Sequence, residues 1–124
     1  MRSQRYQKSR QVTGAVPEGV LHVARPSIWG NPWIGPDAVD AYKLFMEQVS
    51  SGVLCIHFIE SVLNVKRTFE KPLDDWKELR NEMFDYCREP RSVACWCSLE
   101  DRCHGQIILA LPYLRAWDRA GDKP

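Results

Sequence analysis

The chain is expected to fold as one small single α/β domain, a short and mainly parallel sheet flanked by helices in a Rossmann-like arrangement. Three observations predict this class. Two short apolar runs, at 20–24 with its β-branched valines and at 92–97, read as buried strands. The residues between them carry helical apolar spacing, so the second strand returns after helices and pairs most easily in parallel with the first, through a right-handed crossover. Finally, 124 residues that are 44% hydrophobic and 27% charged suffice for a single core without disulfide staples.

Taken in order, residues 1–18 read as a basic arm, because Arg2, Arg5, Lys8 and Arg10 precede the first acidic residue, Glu18. Such an arm can hold phosphates of a nucleic acid by counterion release, although short charged termini are often only solvated. The domain proper is expected over 19–118, with a tail over 119–124. Val20 to Ala24 forms the first strand and leads into a loop over 25–36. Gly35, Pro36 and Asp37 then start a helix, with proline where its missing N–H does no harm and Asp37 near the positive end of the dipole. Val39, Tyr42, Phe45, Met46 and Val49 make its buried stripe, and Ser50, Ser51 and Gly52 end it.

The stretch 53–65 is apolar on nearly every side; a buried helix is favoured, although periodicity alone does not separate it from a strand and turn. Pro72, Asp74 and Asp75 start a further helix, with Trp76, Leu79, Met83 and Cys87 on one face down to about Arg88. Pro90 closes it, Ser92 to Cys97 gives the second strand, and Ile107 to Leu111 begins a last helix that Pro112 kinks or restarts.

Ligands of open α/β sheets sit beyond the carboxyl ends of the strands. Two unusual segments fall at such ends, so the topology predicts that they face one crevice. The first contains Arg25, Pro26, Ser27, Ile28, Trp29, Gly30, Asn31, Pro32 and Trp33. Arg25 can fork two donors onto a phosphate or carboxylate, Ser27 can add a hydroxyl and Asn31 both donors and an acceptor. Gly30 lets the chain turn, and Trp29 and Trp33 can stack on a base, a contact of about 1–3 kcal/mol in single-strand binders. These groups suit a nucleotide. The competing reading makes Trp29 and Trp33 core rings and pairs Arg25 with Asp37 or Asp101.

The second segment holds Cys95, Trp96, Cys97, Cys103 and His104. Three readings compete here. Cys95, Cys97, Cys103 and His104 form a chemically complete zinc set, though the spacing is not that of the common zinc signatures. Alternatively Cys97 or Cys103 is a low-pKa nucleophile with His104 as base or acid. In the third reading the cysteines are small buried hydrophobes, which is the expectation for Cys55 and Cys87 on helical apolar faces. On an extended strand Cys95 and Cys97 share a face and Trp96 points away.

Formal net charge is +1, which argues mildly against a dedicated nucleic-acid protein. No apolar run approaches the roughly 18 residues that span a bilayer, the first ten residues carry no signal-like core, and the odd cysteine count favours reduced thiols or metal. A cytoplasmic protein with no membrane partner is expected.

The phrase from Ala24 to Pro32, followed by Cys95-Trp96-Cys97 and Cys103-His104-Gly105, resembles the family known as domain of unknown function 4326, over about residues 20–114. The resemblance implies a small cytosolic protein of bacteria or their phages and points to Arg25, Ser27, Gly30, Asn31 and Pro32 together with Cys95, Trp96, Cys97, Cys103 and His104. It implies no activity. The stretch between Cys97 and Cys103 is longer than the family pattern and lacks its proline, and residues 53–71 look like an insertion. The leading expectation is therefore an enzyme acting on a nucleotide, nucleoside or nucleic-acid base, with Cys97, Cys103 and His104 catalytic and Arg25, Ser27, Trp29, Gly30 and Asn31 binding. The alternatives are a zinc-stabilised module that binds nucleic acid or a protein, and a sensor of a nucleotide-type small molecule.

Overall fold

The computed structural model describes residues 3–7, 19–97 and 102–113. Their elements run β1 (Arg5–Gln7), β2 (Leu21–His22), β3 (Trp33–Ile34), α1 (Ala38–Ser51), α2 (Ile56–Val62), β4 (Lys66–Arg67), α3 (Lys71–Asp74), α4 (Trp76–Arg88), β5 (Val93–Cys95) and α5 (His104–Leu109), closed by a 3-10 turn at Leu111–Tyr113. The class is mixed α/β with a short three-stranded parallel sheet, as the sequence predicts.

The sheet order is β1-β5-β2, with β5 at its centre and both neighbours parallel to it. β5 is Val-Ala-Cys and buried along its whole length, as expected of a strand covered on both faces. Leu21 pairs with Val93 and His22 with Ala94, so the crossover pairing of the two predicted strands is present. The other edge was not anticipated. Arg5–Gln7, part of the segment read as an arm, is a strand in register with Val93, Ala94 and Cys95. The polar character of Arg5, Tyr6 and Gln7 hid it, because an edge strand that is half solvated carries no apolar signal. Arg2, Lys8 and Arg10 lie outside the described residues.

A second, two-stranded ribbon joins the loop read over 25–36 to the stretch read as an insertion over 53–71. β3 and β4 pair antiparallel, Trp33 opposite Arg67 and Ile34 opposite Lys66. Trp33 is 1% exposed, packs edge-on against Phe45 and donates its indole N–H to Glu60 Oε2 at 2.8 Å. Glu60 also takes two bonds from Arg67, at 2.8 and 2.7 Å, which ties α2 to the ribbon.

α1 is the central helix, in contact with α2, α4, α5 and β3. Its buried face is Ala41, Tyr42, Phe45, Met46, Val49 and Ser50, while Val39, assigned to the stripe from its spacing, is half-buried at the cavity described below. The helix ends as Gly52 adopts φ +76°, the left-handed cap that glycine takes without strain. Asp37 sits at the other end without capping it; its carboxylate accepts the Asn64 N–H at 2.7 Å instead.

Residues 53–65 do contain a helix, but α2 is not a buried one. Only Ile59 is fully buried, and Val53, Phe58 and Val62 are exposed large hydrophobics. Apolar composition on all sides therefore reflects a surface helix here, a case that periodicity cannot separate from burial. On α4 the face Leu79, Met83 and Tyr86 is buried, with Trp76 and Cys87 half-buried at its border. Pro112 falls in the closing 3-10 turn and so restarts the chain after α5. No helix among the described residues is long and apolar enough to cross a membrane.

Candidate functional site

Because all three strands of the main sheet are parallel, their carboxyl ends lie together, and both unusual segments leave from that end. They line one cavity of about 490 Å³, bounded by Arg25, Asn31, Trp33 and Ile34 on one side and by Cys95, Trp96, Cys97, Arg102, Cys103 and His104 on the other. This is within the usual size of a small-molecule site. Cys103 caps α5, accepting the Gly105 N–H on its Sγ at 3.3 Å, while the Gln106 side chain accepts the Cys103 N–H at 3.4 Å. His104 is the first helical residue.

His104 is fixed from both sides. Its Nε2 lies 2.7 Å from the Val23 carbonyl oxygen, and since a carbonyl can only accept, Nε2 carries the proton. In the neutral ring Nδ1 is then the lone-pair nitrogen, and it lies 3.7 Å from Cys103 Sγ. The Tyr42 ring stands edge-on to the imidazole at 5.0 Å and donates its hydroxyl to the Trp29 carbonyl at 2.8 Å. Adjacent residues at a helix start need not meet; here Cys103 lies before the helix with extended backbone, which turns its sulfur back toward the ring.

Cys95 and Cys97 do share a side, with sulfurs 3.7 Å apart. Trp96 nonetheless borders the cavity too and is 46% exposed, because the strand ends at Cys95 and its alternation ends with it. Cys95, Cys103 and His104 are buried, and their ligand atoms all lie within 4.8 Å of one another. The hydrogen bond from Cys103, assisted by His104, pulls the Cys95 thiol well below its ordinary range. Burial and the charge on Cys95 push Cys97 up, an effect Arg5 opposes, and the bond to Cys95 with burial pushes Cys103 up. One thiolate is thus favoured at the expense of the next.

The first segment divides differently from its sequence reading. Arg25 borders the cavity, exposed, and donates to Thr68 Oγ1 at 3.1 Å and to the Trp33 carbonyl at 3.4 Å. It pairs with no carboxylate among the described residues, Asp37 included; Asp101 lies outside them. Gly30 is where Arg25 crosses the backbone: a Cβ there would come within 2.9 Å of Arg25 Cγ and 3.0 Å of the Phe69 ring. Asn31 spends its amide inside the protein, donating to the Ala38 carbonyl and accepting the Trp33 N–H, both at 3.0 Å. Trp29 is a core ring, 3% exposed, against Tyr86, its N–H on Glu82 at 3.3 Å, so no face of it is offered for stacking. Ser27 does not border the cavity, and its Oγ is buried without a hydrogen-bond partner among the described residues.

A model of the family described as a domain of unknown function (DUF4326) matches residues 6–112. The chain belongs to that family. Its span takes in Tyr6 and Gln7 of β1, both motif segments and α5, so the cavity is built wholly from family sequence. No curated protein and no solved structure matches the chain.

Several site residues carried no ligand signal in the sequence. Ile34 and Val39 extend the apolar wall that Trp33 begins, and Arg102 stands at its edge paired with Asp40 at 2.8 Å. Thr68 and Phe69, which position Arg25, come from the stretch read as an insertion. The expectation for Cys55 and Cys87 needs correction: Cys55 is exposed at the start of α2, and Cys87 is half-buried, its thiol pushed up to about 11 by burial.

Proposed function

We propose that the crevice binds a small, planar, anionic ligand of nucleotide type. The observation that carries this reading is the convergence, in one cavity, of an arginine without a carboxylate partner among the described residues and an apolar wall bearing a partly exposed indole. Arg25 takes the anionic group. Thr68 and the Trp33 carbonyl are neutral acceptors, so they hold the guanidinium without cancelling its charge. Ile34, Val39 and Trp96 offer the surface for a base or comparable flat group, with the buried Trp33 ring behind them, and Trp96 takes the stacking role first assigned to Trp29 and Trp33. Gly30 and Asn31 shape the loop.

Turnover of the ligand is a second reading, favoured by Cys97, the one cluster thiol that is not fully buried, standing at the cavity edge. Nucleic-acid binding through the basic segment is the less favoured reading, because Arg5 belongs to the sheet.

Calorimetric titration with nucleoside monophosphates, the matching nucleosides and short oligonucleotides tests the proposal. A monophosphate is expected to saturate one site, and Arg25→Gln to weaken it about 10- to 100-fold, the equivalent of about 1.5–3 kcal/mol for a charge-assisted hydrogen bond. Binding of oligonucleotides alone, with a steep salt dependence, would overturn it. Product analysis of the bound monophosphate separates an enzyme from a sensor.

A further inference from the structure

We propose that Cys95, Cys97, Cys103 and His104 bind one zinc ion, which forms the structural floor of the crevice. A tetrahedral site with Zn–S near 2.3 Å and Zn–N near 2.0–2.1 Å has S–S edges of about 3.7–3.8 Å and S–N edges of about 3.5–3.6 Å. The Cys95–Cys97 sulfur separation is 3.7 Å and the Cys103 Sγ to His104 Nδ1 separation is 3.7 Å. Two edges of the tetrahedron are therefore already at length. Cys95, Cys103 and His104 lie within 4.8 Å of one another and are at most 7% exposed, so the first three ligands converge in a site with little water to displace.

The imidazole supplies the independent observation. With Nε2–H committed to the Val23 carbonyl, Nδ1 presents its lone pair to the sulfurs; a ligating histidine whose other nitrogen donates to a carbonyl is the usual second-shell arrangement of a metal site. A base that shuttles protons to a ligand would need that lone pair facing the cavity. The Gly105 N–H on Cys103 Sγ adds the hydrogen bond that a ligating sulfur commonly receives. Three sulfurs and one imidazole, with no carboxylate in the set, select zinc over magnesium or calcium. The ion would join the carboxyl end of β5 to the start of α5 and, through Val23, to β2. The cluster then consists of metal ligands in place of a free nucleophile and base. This assignment stands apart from the nucleotide reading, since neither Arg25 nor a ligand enters it.

The test uses the full chain, purified reduced and without chelator, with zinc measured by elemental mass spectrometry and cobalt(II) substituted for the absorption spectrum. About one zinc per chain is expected, with a cobalt form showing thiolate charge-transfer bands and intense tetrahedral ligand-field bands. Chelator should lower the melting temperature and expose about three further thiols to a disulfide reagent, beyond Cys55 and Cys87. Cys97→Ser should weaken zinc about a hundredfold or more. A wild-type chain without stoichiometric zinc and without thiolate-to-cobalt bands would overturn the proposal, and so would a Cys97→Ser chain that keeps the parent cobalt spectrum. Because the wild-type spectrum needs no variant, misfolding of one cannot mimic either result. Loss of nucleotide binding in Arg25→Gln with zinc retained tells the two readings apart.

Discussion

Asn31→Ala should destabilise the domain by about 2–4 kcal/mol. Asn31 is 8% exposed and makes two bonds at 3.0 Å, one received from the Trp33 N–H and one donated to the Ala38 carbonyl. Truncation leaves the buried Trp33 N–H without a partner, a penalty of about 1–3 kcal/mol, and removes a second bond worth about 1 kcal/mol. The assay is urea unfolding followed by tryptophan fluorescence at fixed metal content, with a lower midpoint and an unchanged slope. Asn31→Asp sharpens it. Its charged form faces the Ala38 carbonyl, whereas its protonated form can donate there and keep the acceptor for Trp33. Burial raises the folded pKa of this new carboxyl above its unfolded value, so the folded state binds the proton more tightly and the variant should regain stability as pH falls toward 4. A loss below about 0.5 kcal/mol for Asn31→Ala would refute the reasoning, because the amide would then be free for a ligand.

Other outcomes follow from the same geometry. Glu60 is held below the usual carboxylate range by its hydrogen bonds from Arg67 and then Trp33, so its contribution is full above the unfolded value of 4.5 and is lost as pH falls through the lower folded value. Glu60→Gln should cost about 1 kcal/mol at pH 7, discounted because the pair is partly solvated, and flatten the acid limb of a stability-versus-pH curve. Tyr42→Phe leaves the Trp29 carbonyl without its 2.8 Å donor and should cost about 1–2 kcal/mol by denaturant midpoint. As burial also holds the Tyr42 hydroxyl well above its ordinary range and pushes Tyr86 up to about 12, an ultraviolet alkaline titration of the native protein should find Tyr86 ionising late and Tyr42 only on unfolding.

The sequence by itself determined the class, the two paired strands β2 and β5, the amphipathic helices α1 and α4, and the meeting of two motifs at one end of a parallel sheet. Each of these rests on local periodicity or on a chirality that all parallel crossovers share. It did not determine which members of a motif face the cavity. Arg25 and Asn31 both read as ligand groups, yet Asn31 closes its own turn onto α1, and Trp29 fills the core beside Tyr86 while Trp96 keeps an exposed ring. Those outcomes depend on side-chain direction after a strand ends, where alternation no longer holds. Nor could sequence place Arg5–Gln7 in the sheet, or bring β4 with Thr68 and Phe69 under Arg25, since a two-residue ribbon and a half-solvated edge strand have no apolar pattern to read. The cysteine cluster was visible as composition. Only the tertiary structure turned His104 by its bond to Val23 and brought its ring within 4.8 Å of the Cys95 and Cys103 sulfurs, because that bond joins residues far apart in the chain.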